Sequence, residues 1–222
     1  MFPLRDDRPT YTAPVVTVLL IAACALVFFF ELSLDEYSRD YFINFYGVVP
    51  ARLRPVTLLS SLFIHGGWSH IIGNMLFLWA FGKSLEDALG HFKFLSFYLI
   101  CGVAAGITHV FFNLNTTLPT VGASGAIAGV MGAYLIKFPR ARIHTLIFLI
   151  FFLTTADIPA AFILIYWFVT QLFSEYGSIM HTQVTSGGVA YAAHIGGFVT
   201  GMILVQVMGA RTRYFPRRDI YW

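Results

Sequence analysis

The chain has 222 residues, 58% of them hydrophobic and 11% charged, with a net charge of +3 and a mean hydropathy of +0.74. One soluble core cannot hide that much apolar surface from water, so a soluble globular domain is excluded and lipid is the expected solvent. The partners to expect are the bilayer and the transmembrane proteins within it; no nucleic-acid partner is expected.

A bilayer core about 30 Å thick takes roughly 20 apolar residues at about 1.5 Å each. Six runs approach that length, at residues 14–30, 68–82, 92–112, 124–136, 160–173 and 188–208. They lack the alternation of barrel strands, and helices satisfy their own backbone in hydrocarbon. The expected fold is therefore all-α: one polytopic membrane domain over residues 1–222, a six-transmembrane-helix bundle. A short N-terminal segment (1–13) and a basic tail (209–222) flank it.

The first run contains Ile21-Ala22-Ala23-Cys24, which looks like a lipoprotein cleavage box. The apolar run continues through Phe30, so cleavage would fall inside the membrane, and the run reads as a retained span. Cys24 and Cys101 fall in the middle of the first and third runs, suit neither a disulfide framework nor a metal site, and read as apolar fillers.

The second run opens on His65-Gly66-Gly67-Trp68-Ser69-His70-Ile71-Ile72-Gly73-Asn74. His70 and Asn74 are four apart, share one helix face and can both donate hydrogen bonds, as an oxyanion hole requires. For Asn74 interhelical polar glue is the competing reading, and for His65 a structural hydrogen bond to a loop is preferred.

The fourth run starts at Ser124, set in Val121-Gly122-Ala123-Ser124-Gly125. Small neighbours let a substrate carbonyl approach the hydroxyl, and a free N–H at a helix start suits an oxyanion. Alone, this pattern with Gly129 and Gly132 reads as helix packing. The run is also the shortest, about 14 residues or ~21 Å, so a helix anchored inside by Lys137 begins roughly 9 Å below the outer surface. Irregular backbone at that depth implies a wet internal cavity.

Residues 143–152 are apolar but too short to span, and Thr154, Thr155, Asp157 and Pro159 follow them. They read as an interfacial segment, with a re-entrant loop as the alternative. The fifth run carries Phe162, Tyr166, Trp167 and Phe168, which fit a movable lateral gate or a lipid-facing surface equally well. The outer segment from Glu175 to Ser186 is a candidate cap.

The sixth run contains Ala193-His194-Ile195-Gly196-Gly197. An ionisable residue in lipid is costly and is a functional candidate by default. His194 lies ~10 Å below the outer face, level with Ser124, and Gly197 and Gly201 would let this helix pack closely on the glycine-rich fourth. With the N-terminus inside, the inner segments carry 11 of the 14 basic residues. Both termini should then be cytoplasmic, in the plasma (inner) membrane if the source is prokaryotic. The Ser124, His194 and His70–Asn74 groups all then fall near the outer ends of helices running inward.

Gly122-Ala123-Ser124-Gly125, Ala193-His194 with Gly197 and Gly201, and His70 with Asn74 resemble, in order and over nearly the whole chain, the rhomboid intramembrane proteases. The resemblance implies a serine endopeptidase that needs no metal or cofactor and cuts transmembrane segments of other proteins. It implies Ser124 as nucleophile, His194 as general base, and His70, Asn74 and the Ser124 amide as oxyanion donors. It further implies a structural role for Glu86. Val56-Thr57 replaces the Trp-Arg pair often found in the first outer loop, and Ala128 stands where some members place a tyrosine against the histidine. Whatever orients His194 must come from another side. Asp157, at the inner start of the fifth run, lies on the wrong side to complete a triad, which favours a dyad.

No His-Glu-x-x-His motif and no pair of membrane aspartates supports other intramembrane protease chemistries. A catalytically silent binder or escort of transmembrane segments is the principal rival, and the presence of both Ser124 and His194 argues against it. The sequence leaves the substrate and the oligomeric state open.

Overall fold

The computed structural model describes residues 2–149, 152–180 and 190–210. In chain order it contains strand β1 (Phe2–Asp6), helix α1 (Val15–Ser33), α2 (Glu36–Tyr46), the single turn α3 (Thr57–Ser60), α4 (Trp68–Leu89) and α5 (His91–Phe112). These are followed by α6 (Ser124–Lys137), strands β2 (Arg142–Leu149) and β3 (Phe152–Pro159), α7 (Ala160–Met180) and α8 (Tyr191–Val207).

The architecture is organised around α6, whose residues from Gly125 to Tyr134 are all buried. It packs against α4, α5, α7 and α8, while α1 lies against α4 and α5. Large apolar side chains point outward from the helices: Leu26 is 71% exposed and Val207 78%. A soluble surface would not carry such a belt; hydrocarbon accommodates it. By length and composition α1 and α5 are each sufficient to cross a membrane, with hydropathies of 2.7 and 1.8. Shorter apolar helices occupy Ser124–Lys137, Ala160–Phe173 and Tyr191–Val207.

The all-α expectation needs correction. Within the stretch read as interfacial, residues 143–149 form a strand: β2 and β3 pair antiparallel from Arg142 against Pro159 to Leu149 against Phe152. The N-terminal segment adds β1 to the edge of β2, giving the order β1-β2-β3 with an irregularity between Pro3 and Arg5. Ile143, Thr145, Ile147, Thr154, Thr155 and Ile158 are β-branched, and such side chains favour a pleated surface over a helix. Alternation is visible in β2, where Ile143 and Thr145 are buried between exposed Arg142 and half-buried His144.

Other boundaries shift as well. The helix of the second run continues to Leu89, beyond residue 82, and α7 continues to Met180, so the first part of the expected cap is helical. The remainder of that cap and residues 188–189 lie outside the described residues, as does the tail beyond Ala210. The first outer segment contains α2, which the sequence reading did not anticipate. Asp35 caps it by accepting from the Ser38 amide (3.0 Å) and hydroxyl (2.7 Å), and these bonds hold its carboxyl below the ordinary value.

Acidic side chains clamp the end of the bundle opposite Ser124. Glu86 on α4, fully buried, accepts from the Val16 and Thr17 amides at 2.8 Å each and from the Thr17 hydroxyl at 2.6 Å. It thereby satisfies orphan donors at the start of α1, which has no capping side chain of its own. Asp87 accepts from the Tyr11 and Thr12 amides, in the segment leading to α1. Asp6 anchors β1 between two helices: it accepts from Ser84 of α4 and, at 2.8 Å, from the Tyr134 hydroxyl of α6, with Lys83 Nζ 3.2 Å away.

Glu86→Ala strips three hydrogen bonds from a buried helix start. Thermal unfolding in detergent should register a loss of about 3 kcal/mol; a change under about 0.5 kcal/mol would show that the α1 start does not depend on this carboxylate.

Candidate active site

Ser124 is the first residue of α6, and the loop before it is held by backbone hydrogen bonds. Thr120 pairs with Val48 through two backbone bonds of 2.8 and 2.9 Å, and the Gly122 amide donates to the Ser61 carbonyl at 2.9 Å. Gly122 has φ +122°, a region that disfavours side chains. A β-carbon there would also stand 2.6 Å from His70 Nε2. Glycine is therefore required twice over, and its absent side chain leaves room for the α4 imidazole beside the serine.

His194 projects from the first turns of α8 and is only 7% exposed. Its Nε2 lies 2.8 Å from Ser124 Oγ. That distance depends on how closely α6 and α8 approach. A β-carbon at Gly197 would overlap the Gly125 carbonyl, and one at Gly201 the Gly129 carbonyl. Gly125 is equally constrained, since a β-carbon there would sit 2.6 Å from that of Ala105 on α5. Of the four glycines proposed as supporting residues, Gly125, Gly197 and Gly201 are thus points of close helix contact beside the pair, and Gly122 makes room for the His70 ring.

A cavity of about 540 Å³ opens over the serine, walled by His70, Asn74 and Phe77 of α4, Ser124, and Trp167 and His194. Asn74 is 8% exposed, and its Nδ2 has no hydrogen-bond partner among the described residues. A buried, unpaired amide donor costs free energy unless something outside the protein completes it. A β-carbon at Gly122 would lie 3.7 Å from that nitrogen, so the donor faces the loop carrying Ser124. His65 plays a different part: it is fully buried, with Nδ1 3.3 Å from the Phe63 carbonyl and its amide donating to Glu31 at 3.2 Å.

The sequence reading missed what stands behind His194. Gln171 of α7 places Oε1 2.7 Å from His194 Nδ1. The Trp167 ring lies 5.4 Å from the imidazole, tilted by 40°, so the aromatic contact that Ala128 cannot make comes from α7 instead. A polar residue one turn beyond Trp167 in an apolar run was the available signal. The aromatic stripe of the fifth run divides: Phe162 and Tyr166 are exposed and stacked on each other, while Trp167 and Phe168 turn inward against Phe198. Asp157 sits on β3 with His144 Nδ1 at 2.9 Å, away from this site.

The Rhomboid domain family model matches residues 52–211, a span that includes His70, Asn74, Ser124, Gln171 and His194. The chain belongs to the rhomboid family. It is 31% identical over 152 residues to the mitochondrial Rhomboid protein 1 of Saccharomyces cerevisiae, covering 67% of this chain and 40% of that protein. It is 32% identical over 155 residues to the human mitochondrial presenilin-associated rhomboid-like protein, covering 69% and 39%. Rhomboid protease GluP of Bacillus subtilis is 32% identical over 135 residues, covering 59% and 25%. The rhomboid chain described here therefore spans well under half the length of these three relatives, and like the family it is a membrane protein.

Gly201→Val should force α6 and α8 apart and lower stability by about 1–3 kcal/mol in thermal unfolding. Gly73→Ala, where an added β-carbon meets nothing within 4 Å, should leave stability unchanged or slightly higher. Equal losses in the two variants would mean that the α6–α8 approach is not the limiting contact.

Proposed function

We propose that this rhomboid is an intramembrane serine endopeptidase that cuts transmembrane segments of other proteins near the outer face of the membrane. The observation carrying this reading is the 2.8 Å contact between Ser124 Oγ and His194 Nε2 in a site bordered by an unpaired Asn74 donor. In the same proposal the helices α1, α4, α5, α6, α7 and α8 make six crossings with both termini cytoplasmic. The fifth crossing helix, α7, borders through Trp167 the cavity where substrate enters from lipid.

His194 Nε2 takes the Ser124 proton as Oγ attacks the scissile carbonyl carbon. The negative charge formed on the carbonyl oxygen is met by Asn74 Nδ2, His70 and the Ser124 amide, which is free because it begins a helix. As the intermediate collapses, the carbon–nitrogen bond breaks and His194 returns the proton to the leaving amine. A water then gives its proton to His194 and attacks the acyl-serine, and the released Ser124 oxygen recovers the proton. No carboxylate is required behind His194 in this scheme, so the pair acts as a dyad.

The purified chain in liposomes, given a fusion protein with a helix-destabilised transmembrane segment, should cleave it. Ser124→Ala and His194→Ala should each abolish cleavage, and Asn74→Ala should lower kcat by about 10²-fold with little change in KM. A parent chain that binds such segments without cutting any would instead support the escort role.

A further inference from the structure

We infer that Gln171 is a positioning residue for the proposed base: its side-chain carbonyl holds the proton of His194 on Nδ1 and so keeps Nε2 free to accept from Ser124. The inference rests on the protease reading for its consequence but on geometry for its content. An imidazole has two nitrogens, and in the neutral ring only one carries hydrogen; the partner of the other decides which.

The orientation of the Gln171 amide follows from its neighbours. The Thr170 hydroxyl donates to the Trp167 carbonyl at 2.6 Å, so the Thr170 oxygen is left to accept. Gln171 Nε2 lies 3.4 Å from that oxygen, on the donor side of the amide, which turns Oε1 toward His194. A carbonyl oxygen only accepts, so the 2.7 Å contact requires N–H at Nδ1. With the amide reversed, His194 would carry its proton on Nε2 and point a donor at the serine, the wrong form for a base. Both side chains are buried, Gln171 at 9% and His194 at 7% exposed, so water competes poorly for either nitrogen.

The other groups facing His194 do not do this work. Ser124 of α6 occupies Nε2, Trp167 of α7 lies against the ring, and the titratable side chains acting on it from α4 and α5 are His70 and His109. Gln171 thus supplies the orientation that a carboxylate provides in a triad, without adding a buried negative charge. Because Gln171 and Trp167 both ride on α7, alignment of the base depends on how that helix is seated.

The test combines kinetics with histidine ¹⁵N NMR of the full chain in detergent micelles, the His194 signals being assigned by their loss in His194→Ala. In the parent, His194 should be protonated on Nδ1 with a hydrogen-bonded proton, and Gln171→Leu should lose that signature. In the cleavage assay Gln171→Leu should lower kcat about tenfold or more with KM within about twofold. Gln171→Glu, which keeps the acceptor and adds charge, should restore kcat at high pH. It should also shift the acid limb of the kcat/KM profile upward, because a neighbouring carboxylate favours the protonated ring. A purely structural role would leave that limb in place.

A parent His194 protonated on Nε2, or a Gln171→Leu chain with unchanged tautomer and kcat within twofold, overturns the inference. If the parent cleaves nothing, the protease reading fails, and the tautomer measurement still decides the role of Gln171.

Discussion

The structure depends on one close approach, backbone against backbone, between α6 and α8. Helix axes normally stand 8–10 Å apart because side chains hold them there. Here Gly125 and Gly129 offer bare carbonyls to Gly197 and Gly201, and the two helices meet without intervening side chains. Ser124 sits one residue before the first of these contacts and His194 three residues before its counterpart. Residues 70 apart in sequence therefore reach hydrogen-bond distance. Without glycines at these positions the same two side chains would stand on the same helices with a gap between them.

Polar groups in a chain so apolar need partners, and their placement divides the molecule into two ends. At the end away from Ser124, Asp6, Glu86 and Asp87 are spent on fixing chain entries: Asp6 docks a strand, Glu86 starts a helix, and Asp87 holds the segment leading to it. Nearly every acceptor there meets a donor, which rigidifies the bundle without leaving chemistry available. Around Ser124 the balance differs. Asn74 keeps an unpaired donor beside a cavity, and among the described residues the side-chain hydrogen bonds of Ser124 and His194 run along one line from Ser124 through the imidazole to Gln171. Other buried polar atoms of the described residues also lack a partner, the Tyr98 hydroxyl and His65 Nε2 among them, but Asn74 Nδ2 combines that state with a place on the wall of the cavity over Ser124.

Much of this was legible before any coordinates. Ser124 between glycines, His194 in an apolar run and the His70–Asn74 pair stood out because ionisable and small residues are conspicuous in hydrophobic sequence. The strand pairing of residues 143–149 was not anticipated for the converse reason: the stretch is apolar without being long, and periodicity alone does not separate a short buried helix from a strand. Its β-branched residues were the better guide, but the partner that completes the sheet, Phe2–Asp6, lies over 130 residues away. Gln171 passed unnoticed because one amide in an apolar run is a weak signal, and only the packing of α7 on α8 brings it to His194.

By itself the sequence determined the lipid solvent, the long apolar runs and the candidate side chains Ser124, His194, His70 and Asn74. Hydrophobic run length, charge placement and glycine spacing are local properties, and each acts on the few residues around it. Tertiary structure alone decided that the N-terminal strand joins a hairpin, that Gly122 makes room for His70, and that Gln171 stands behind the imidazole. Those facts arise where separate helices meet, and the distance between facing side chains is set by packing across the interface rather than by the order of residues along either helix.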